Sequence, residues 1–165
     1  MKSSGSIYVG ATFAILAAYF SYQWWLNPSR ALKRQMGEIA AALSVPANES
    51  DAARIARLAQ LGRHLAADVR VHAGADDISS RDALLGALSA RKPPAAGVDV
   101  QFVDTQVFID SDTVARAYML VEIGTPDPHG GQPTIERQDA SVRLEKRDGR
   151  WLITNVESKE RPPLR

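Results

Sequence analysis

The sequence has no cysteine, and between Lys2 and Arg30 it has no charged residue. The first absence excludes disulfides, thiolate zinc sites, iron–sulfur clusters and a cysteine nucleophile. It fixes no compartment, since a cysteine-free chain suits either side of a membrane. An excess of one charge sign is also missing: 20 Lys+Arg stand against 19 Asp+Glu, a formal net charge of +1. That balance gives no broad basic field for nucleic acid, and basic residues do not interleave with aromatics along one stripe. No GxGxxG, P-loop, GxSxG or HExxH pattern occurs, which removes the common nucleotide, hydrolase and zinc-protease signatures. The three histidines, His64, His72 and His129, show neither HxxxH nor HxH spacing. No metal and no cofactor is expected. A length of 165 residues allows one domain and hardly two.

The charge-free stretch has a reading of its own. Residues Ser6–Leu26 run SIYVGATFAILAAYFSYQWWL, and at ~1.5 Å per residue they span ~30 Å, the depth of a hydrocarbon core. Tyr19, Phe20, Tyr22, Trp24 and Trp25 gather at the carboxyl end, where rings with a polar handle settle at headgroup depth. A single-pass signal-anchor is expected. The competing reading is a cleaved signal peptide, but bulky aromatics follow Ala18 where a small-x-small site would stand. The expected membrane interface is Tyr22, Trp24, Trp25, Arg30, Lys33 and Arg34. Sidedness is divided. Arg30, Lys33 and Arg34 outnumber Lys2 and lean towards a cytoplasmic domain, whereas a short tail before a signal-anchor leans the other way. The expectation is a bacterial inner-membrane protein with a periplasmic soluble domain, with the cytoplasmic placement left open.

After Asn27-Pro28 the periodicity becomes helical. Leu32, Met36, Ile39 and Leu43 recur at spacings of 4, 3 and 4, predicting an amphipathic helix over Pro28–Ser44. Its basic cluster is either a lipid-headgroup contact or a solvated face. VPANES (Val45–Ser50) breaks it, and Asp51–Ala67 reads as a second helix with Ile55, Leu58, Leu61 and Leu65 inward and Arg54, Arg57 and Arg63 towards water. A short strand is expected at Asp68–Ala73, a loop at Gly74–Ser80, and a helix capped by Ser79 or Ser80 to about Ala90. From Val98 the period is two. The phase flips near Phe102–Asp104, which predicts a β-bulge. Strands follow at Thr113–Gly124, Thr134–Arg147 and Arg150–Glu160, with a loop at Thr125–Pro133 and a type I′ hairpin at Asp148-Gly149. The predicted class is α+β: a transmembrane helix, then a cone-shaped domain of about three helices packed on a curved, mostly antiparallel sheet. The division is an anchor at 1–27, a helix and linker at 28–50 that is either juxtamembrane or the domain's first helix, the domain proper at 51–160, and a tail at 161–165.

Three strings carry a family resemblance. They are AADVRVHAG (Ala66–Gly74) with SRDALLGAL (Ser80–Leu88), VDVQFVDTQVFIDSDTVARAYMLVEIG (Val98–Gly124), and SVRLEKRDGRWLITNVE (Ser141–Glu157). Over about residues 35–158 the chain resembles the nuclear transport factor 2-like superfamily, in its SnoaL-like and ketosteroid-isomerase branch, and through it the cystatin-like α+β proteins. The resemblance implies an open cone between helices and concave sheet, where the superfamily's enzymes bind substrate, and dimerisation through the sheet. It also implies an acidic base at the end of the first strand and a tyrosine on the first helix. This chain has Ala73 at the first place and Met36, Ile39 and Leu43 along the second. Both departures count against isomerase chemistry.

His72 is then the single weak catalytic candidate, because imidazole titrates near neutrality, and Asp76 or Asp77 could orient it. His72, Phe102, Tyr118 and Trp151 are expected to line the pocket. The leading expectation is a non-enzymatic, membrane-anchored module for binding, oligomerisation or assembly of an envelope complex. Its expected partners are membrane lipid through the anchor, a second copy of itself or a membrane protein complex, and a small hydrophobic ligand, but no nucleic acid. The alternatives are a SnoaL-like enzyme of isomerase or cyclase type using His72 as acid/base on a small hydrophobic ligand, and a carrier of lipid or another hydrophobic ligand whose cone faces the anchor side.

Overall fold

The computed structural model describes residues 28–160 except positions 75, 93 and 128, together with Ile15. Apart from Ile15, the anchor with Tyr22, Trp24 and Trp25 lies outside the described residues, as does the 161–165 tail. Among the described residues no helix is long and apolar enough to cross a membrane.

Among the described residues three helices pack on one six-stranded mixed sheet. Helix α1 (Pro28–Leu43) comes first, then α2 (Asp51–Gly62), β1 (Leu65–Ala73), β2 (Asp76–Ile78), α3 (Arg81–Ala90), β3 (Asp99–Ser111), β4 (Val114–Thr125), β5 (Thr134–Arg147) and β6 (Arg150–Glu160). The sheet order is β2-β1-β6-β5-β4-β3. The last four strands form the expected antiparallel meander. Strand β1 joins it parallel to β6, and β2 pairs antiparallel with β1 at the edge.

The apolar face of α1 is as its spacing predicts. Leu32, Met36 and Ile39 are 0%, 1% and 3% exposed, and each such burial stabilises by roughly 1.5–3 kcal/mol. Their core also holds Val69, Ala115, Ala117, Val142, Leu144 and Ile153, so α1 is the domain's first helix. The small residues Ala115 and Ala117 on β4 are fully buried in the same core. At the end of α1 the Ser44 hydroxyl accepts the Val100 N–H at 2.9 Å, and Val45 bridges to Val98.

Helix α2 departs from expectation in three ways. It stops at Gly62 rather than Ala67. The His64 carbonyl accepts the Ile153 N–H at 2.8 Å, and Leu65 sits in register with Ile153, so pairing with β6 takes the backbone from there. Ile55, expected inward, is 68% exposed, leaving Leu58 and Leu61 as the buried contacts. Arg57, expected in water, is instead held by Glu49 and by the Ala42 carbonyl. The predicted loop at Gly74–Ser80 also contains β2. The Ser80 cap of α3 is as expected, its hydroxyl accepting the Ala83 N–H at 3.2 Å.

The bulge falls close to its predicted place. Register in the β3–β4 pair shifts between Val103 and Gln106, and Asp104 sits at φ 52°, a left-handed conformation that Asp tolerates. Asp148 and Gly149, at φ 51° and 77°, join Arg147 to Arg150 as a two-residue turn, matching the type I′ geometry. A second irregularity was not legible: β5–β6 register shifts between Arg143 and Leu144, so Thr154 is the extra residue on β6.

Candidate functional site

The helices and the concave sheet enclose a cavity of about 220 Å³. Its wall is supplied by α1 (Met36, Ile39, Leu43), α3 (Leu84, Leu88), β1 (Val71) and the inward parity of β3 to β6, including Phe102, Met119 and Val142. Two polar side chains enter it, Gln138 and Ser158, and the Ser158 hydroxyl donates to Gln138 Oε1 at 2.7 Å. No Asp, Glu, His, Lys, Arg or Tyr lines this cavity among the described residues.

One of the four expected pocket residues is there, Phe102. Strand parity places His72 and Tyr118 elsewhere; Trp151 shares the inward parity of Ile153 and packs against the core, but it does not line the cavity. Val69 and Val71 point inward along β1, so His72 points out. Its side chain is 48% exposed and lies 3.2 Å from Asp77 on the edge strand. Asp77 lies beside His72, as its sequence position suggested, but the pair stands outside the cavity. Ala117 and Met119 take the inner face of β4, so Tyr118 faces out. It meets Phe108 edge-on at 5.9 Å and accepts from Arg116 at 3.4 Å. Trp151 borders a separate groove with Arg34, Gln35, Glu38 and His64. Its carbonyl accepts Gln35 Nε2 at 2.9 Å, and Lys146 lies over its ring. Of the expected interface residues, Arg30, Lys33 and Arg34 are exposed on the first turns of α1.

Beside the apolar cavity is a second, wider space of about 580 Å³. The two share Leu43, Leu88 and Val121. Its floor continues with Val45, Val98, Val100 and Ile123, while Arg54, Arg57, Arg91 and Lys92 stand around it. Gly97 shapes this mouth. It sits at φ 82°, and a Cβ there would come within 2.6 Å of the Val45 carbonyl oxygen.

Arg57 anchors the wall. Its guanidinium grips Glu49 at 2.7 and 3.0 Å, and the Glu49 side chain is 1% exposed. Hydrogen bonding from Arg57, opposed by burial, holds the Glu49 carboxyl below its usual range. On the outer sheet face the charges are exposed and paired. Arg116 forks onto Asp110 at 2.8 and 2.9 Å, and Arg147 joins Asp68 and Glu145. These guanidiniums lower all three carboxyls.

The sequence reading passed over Gln138, Ser158 and the basic mouth. Gln138 carries a usable signal, since it shares the parity of Ala140, Val142 and Leu144. Ser158 does not: counting by twos from Ile153 points Asn155 and Glu157 inward, and the extra residue at Thr154 moves Val156 and Ser158 there instead.

No family model matches this chain, and neither does any curated protein. Solved structures do resemble it. A candidate scytalone dehydratase from Novosphingobium aromaticivorans superposes with a TM-score of 0.66 at 18% identity, covering 83% of this chain and 86% of the other. An NTF2-like protein of unknown function from Shewanella oneidensis gives 0.61 at 13%, covering 81% and 98%. The association domain of C. elegans CaMKII gives 0.58 at 12%, again covering 81% and 98%. The chain has the NTF2-like fold. At these identities the likeness concerns the fold alone, and the neighbours include an enzyme candidate and an association domain on one scaffold.

Proposed function

We propose that the protein is a membrane-tethered, non-catalytic NTF2-like module whose cone takes up an apolar ligand or partner segment. The observation that carries this reading is the cavity wall. It offers hydrocarbon, one amide and one hydroxyl, and no group that titrates. General acid–base work needs a titratable group within reach of the reacting atoms, and His72 faces away from the cavity. The charge-free 6–26 stretch supports a tether, and we place it in an inner membrane with the domain on the periplasmic side, against the lean of Arg30, Lys33 and Arg34. The outer face of β3 to β5, carrying Phe108 and Tyr118 among paired charges, is the surface by which two copies would associate. A tethered pair gains effective concentration in the membrane plane, which suits assembly of an envelope complex.

The test uses the full chain in nanodiscs and a photoreactive octanol. Saturable labelling of peptides from α1, α3 and β4 is expected, and Ala140→Leu, which adds bulk at the cavity wall, should abolish it without unfolding the protein. Labelling that persists in that variant, or that never saturates, defeats the reading. A C-terminal alkaline phosphatase fusion tests sidedness. An active fusion is expected, and an inactive but intact one places the domain in the cytoplasm.

A further inference from the structure

The two adjoining spaces differ in chemistry in a way that describes a ligand. The inner cavity is apolar, and at the liquid volume of ~30 Å³ per water its 220 Å³ holds about seven heavy atoms. The mouth adds an apolar floor leading to four cations, with no acid lining it among the described residues. The four are not equivalent. Arg57 is committed to Glu49, and Arg54 reaches Asp51 at 3.2 Å. Arg91 and Lys92 are exposed and take part in no ion pair among the described residues. Two uncommitted cations at the rim of a hydrocarbon pocket complement a molecule with an alkyl tail and an anionic end.

Resting on the binding role proposed above, we infer that the cone and its basic mouth bind a single-chain anionic amphiphile of about eight to twelve carbons, such as a medium-chain carboxylate, with the tail inside and the head at Arg91 and Lys92.

The mouth lies at the Leu43–Val45 end of α1, whereas the chain enters α1 at Pro28. Sixteen residues at ~1.5 Å each put ~24 Å of helix between the two ends. A free amphiphile and a bilayer lipid share this chemistry, and the lipid composition of the nanodisc distinguishes the two sources.

The experiment uses the full chain in phosphatidylcholine nanodiscs with photoreactive decanoate and photoreactive decanol. Decanoate should label the α1, α3 and β4 peptides with half-saturation about tenfold below that of decanol, the gain expected of a charge-assisted contact. Shortening the acid from decanoate to octanoate should weaken labelling about fourfold per methylene removed. The double reversal R91E/K92E should remove the preference for acid over alcohol. Equal half-saturation of acid and alcohol in the wild-type chain would overturn the inference while leaving the apolar binding role intact. Loss of labelling by both compounds would defeat the binding role itself. Replacing part of the phosphatidylcholine with phosphatidylglycerol distinguishes the sources. Unchanged decanoate-to-decanol preference supports a free ligand, and selective loss of decanoate labelling would show that a bilayer headgroup takes the site instead.

Discussion

The two faces of one sheet are built on opposite principles. The concave face is hydrocarbon held by shape, with Leu144, Ala115 and Ala117 fully buried and Gln138 and Ser158 as its polar exceptions at the cavity. The convex face is a lattice of exposed ion pairs, Asp110–Arg116, Glu122–Arg137 and Asp68–Arg147–Glu145. Stability should reside almost wholly in the first, because exposed pairs lose most of their Coulomb energy to water. The same contrast separates binding from solubility: the inside has room for an apolar guest, and the outside presents charge of both signs.

The comparison can be broken experimentally. The largest effect is expected from Leu144→Ala, which should cost about 4 kcal/mol in a urea midpoint series, against no measurable change for its outward neighbour Arg143→Ala. Similar costs for both would erase the distinction between the faces. Next is Arg57→Ala, expected to cost about 3 kcal/mol because it strands the buried Glu49 carboxylate. That pair also sets an acid limit. Glu49 is held below its usual range in the fold, so its contribution is complete above the unfolded carboxylate value and disappears as pH falls through the folded one. Gly97→Ala should cost more than about 1 kcal/mol, since its φ of 82° and the Val45 carbonyl both resist a side chain. Ligand labelling at the mouth should weaken with it.

The smallest effect sharpens the contrast at the other end of α1. His64 is pushed below its usual value by burial and by Arg63, with Glu38 opposing. The unfolded chain therefore binds that proton more readily, and stability should decline as pH drops below about 6.5. Thermal midpoints of His64→Gln, measured from pH 7 to 5, should slope less than those of the wild type. An unchanged slope would show that His64 does not titrate in a buried setting.

Much of the scaffold was legible in the sequence, because periodicity reports it directly. The Leu32–Met36–Ile39 face, the bulge before Gln106 and the Asp148-Gly149 turn are each local signals with one physical meaning. The errors have a common origin in tertiary pairing. Gly62 weakens α2 locally, but it is the pairing of Leu65 with β6 that turns the following residues into a strand. Nothing local turns Ser158 inward; the extra residue at Thr154 does. His72, Tyr118 and Trp151 were placed in the pocket by chemistry and resemblance, while strand parity and the packing of α1 put them outside. The basic mouth was hidden because its cations come from two separate segments, Arg54 and Arg57 on α2 and Arg91 and Lys92 just past α3, which only the fold brings together. The expected anchor at 6–26 lies outside the described residues and stands on hydropathy alone.

The central claim is that the cone holds an apolar guest and does no chemistry on it. Native mass spectrometry of the full chain, released from nanodiscs after incubation with decanoate, tests this most directly when the bound compound is then extracted and weighed. The account predicts one decanoate per chain, recovered unchanged, and none in Ala140→Leu. A ligand-free wild-type chain, or a recovered compound of altered mass, would contradict it.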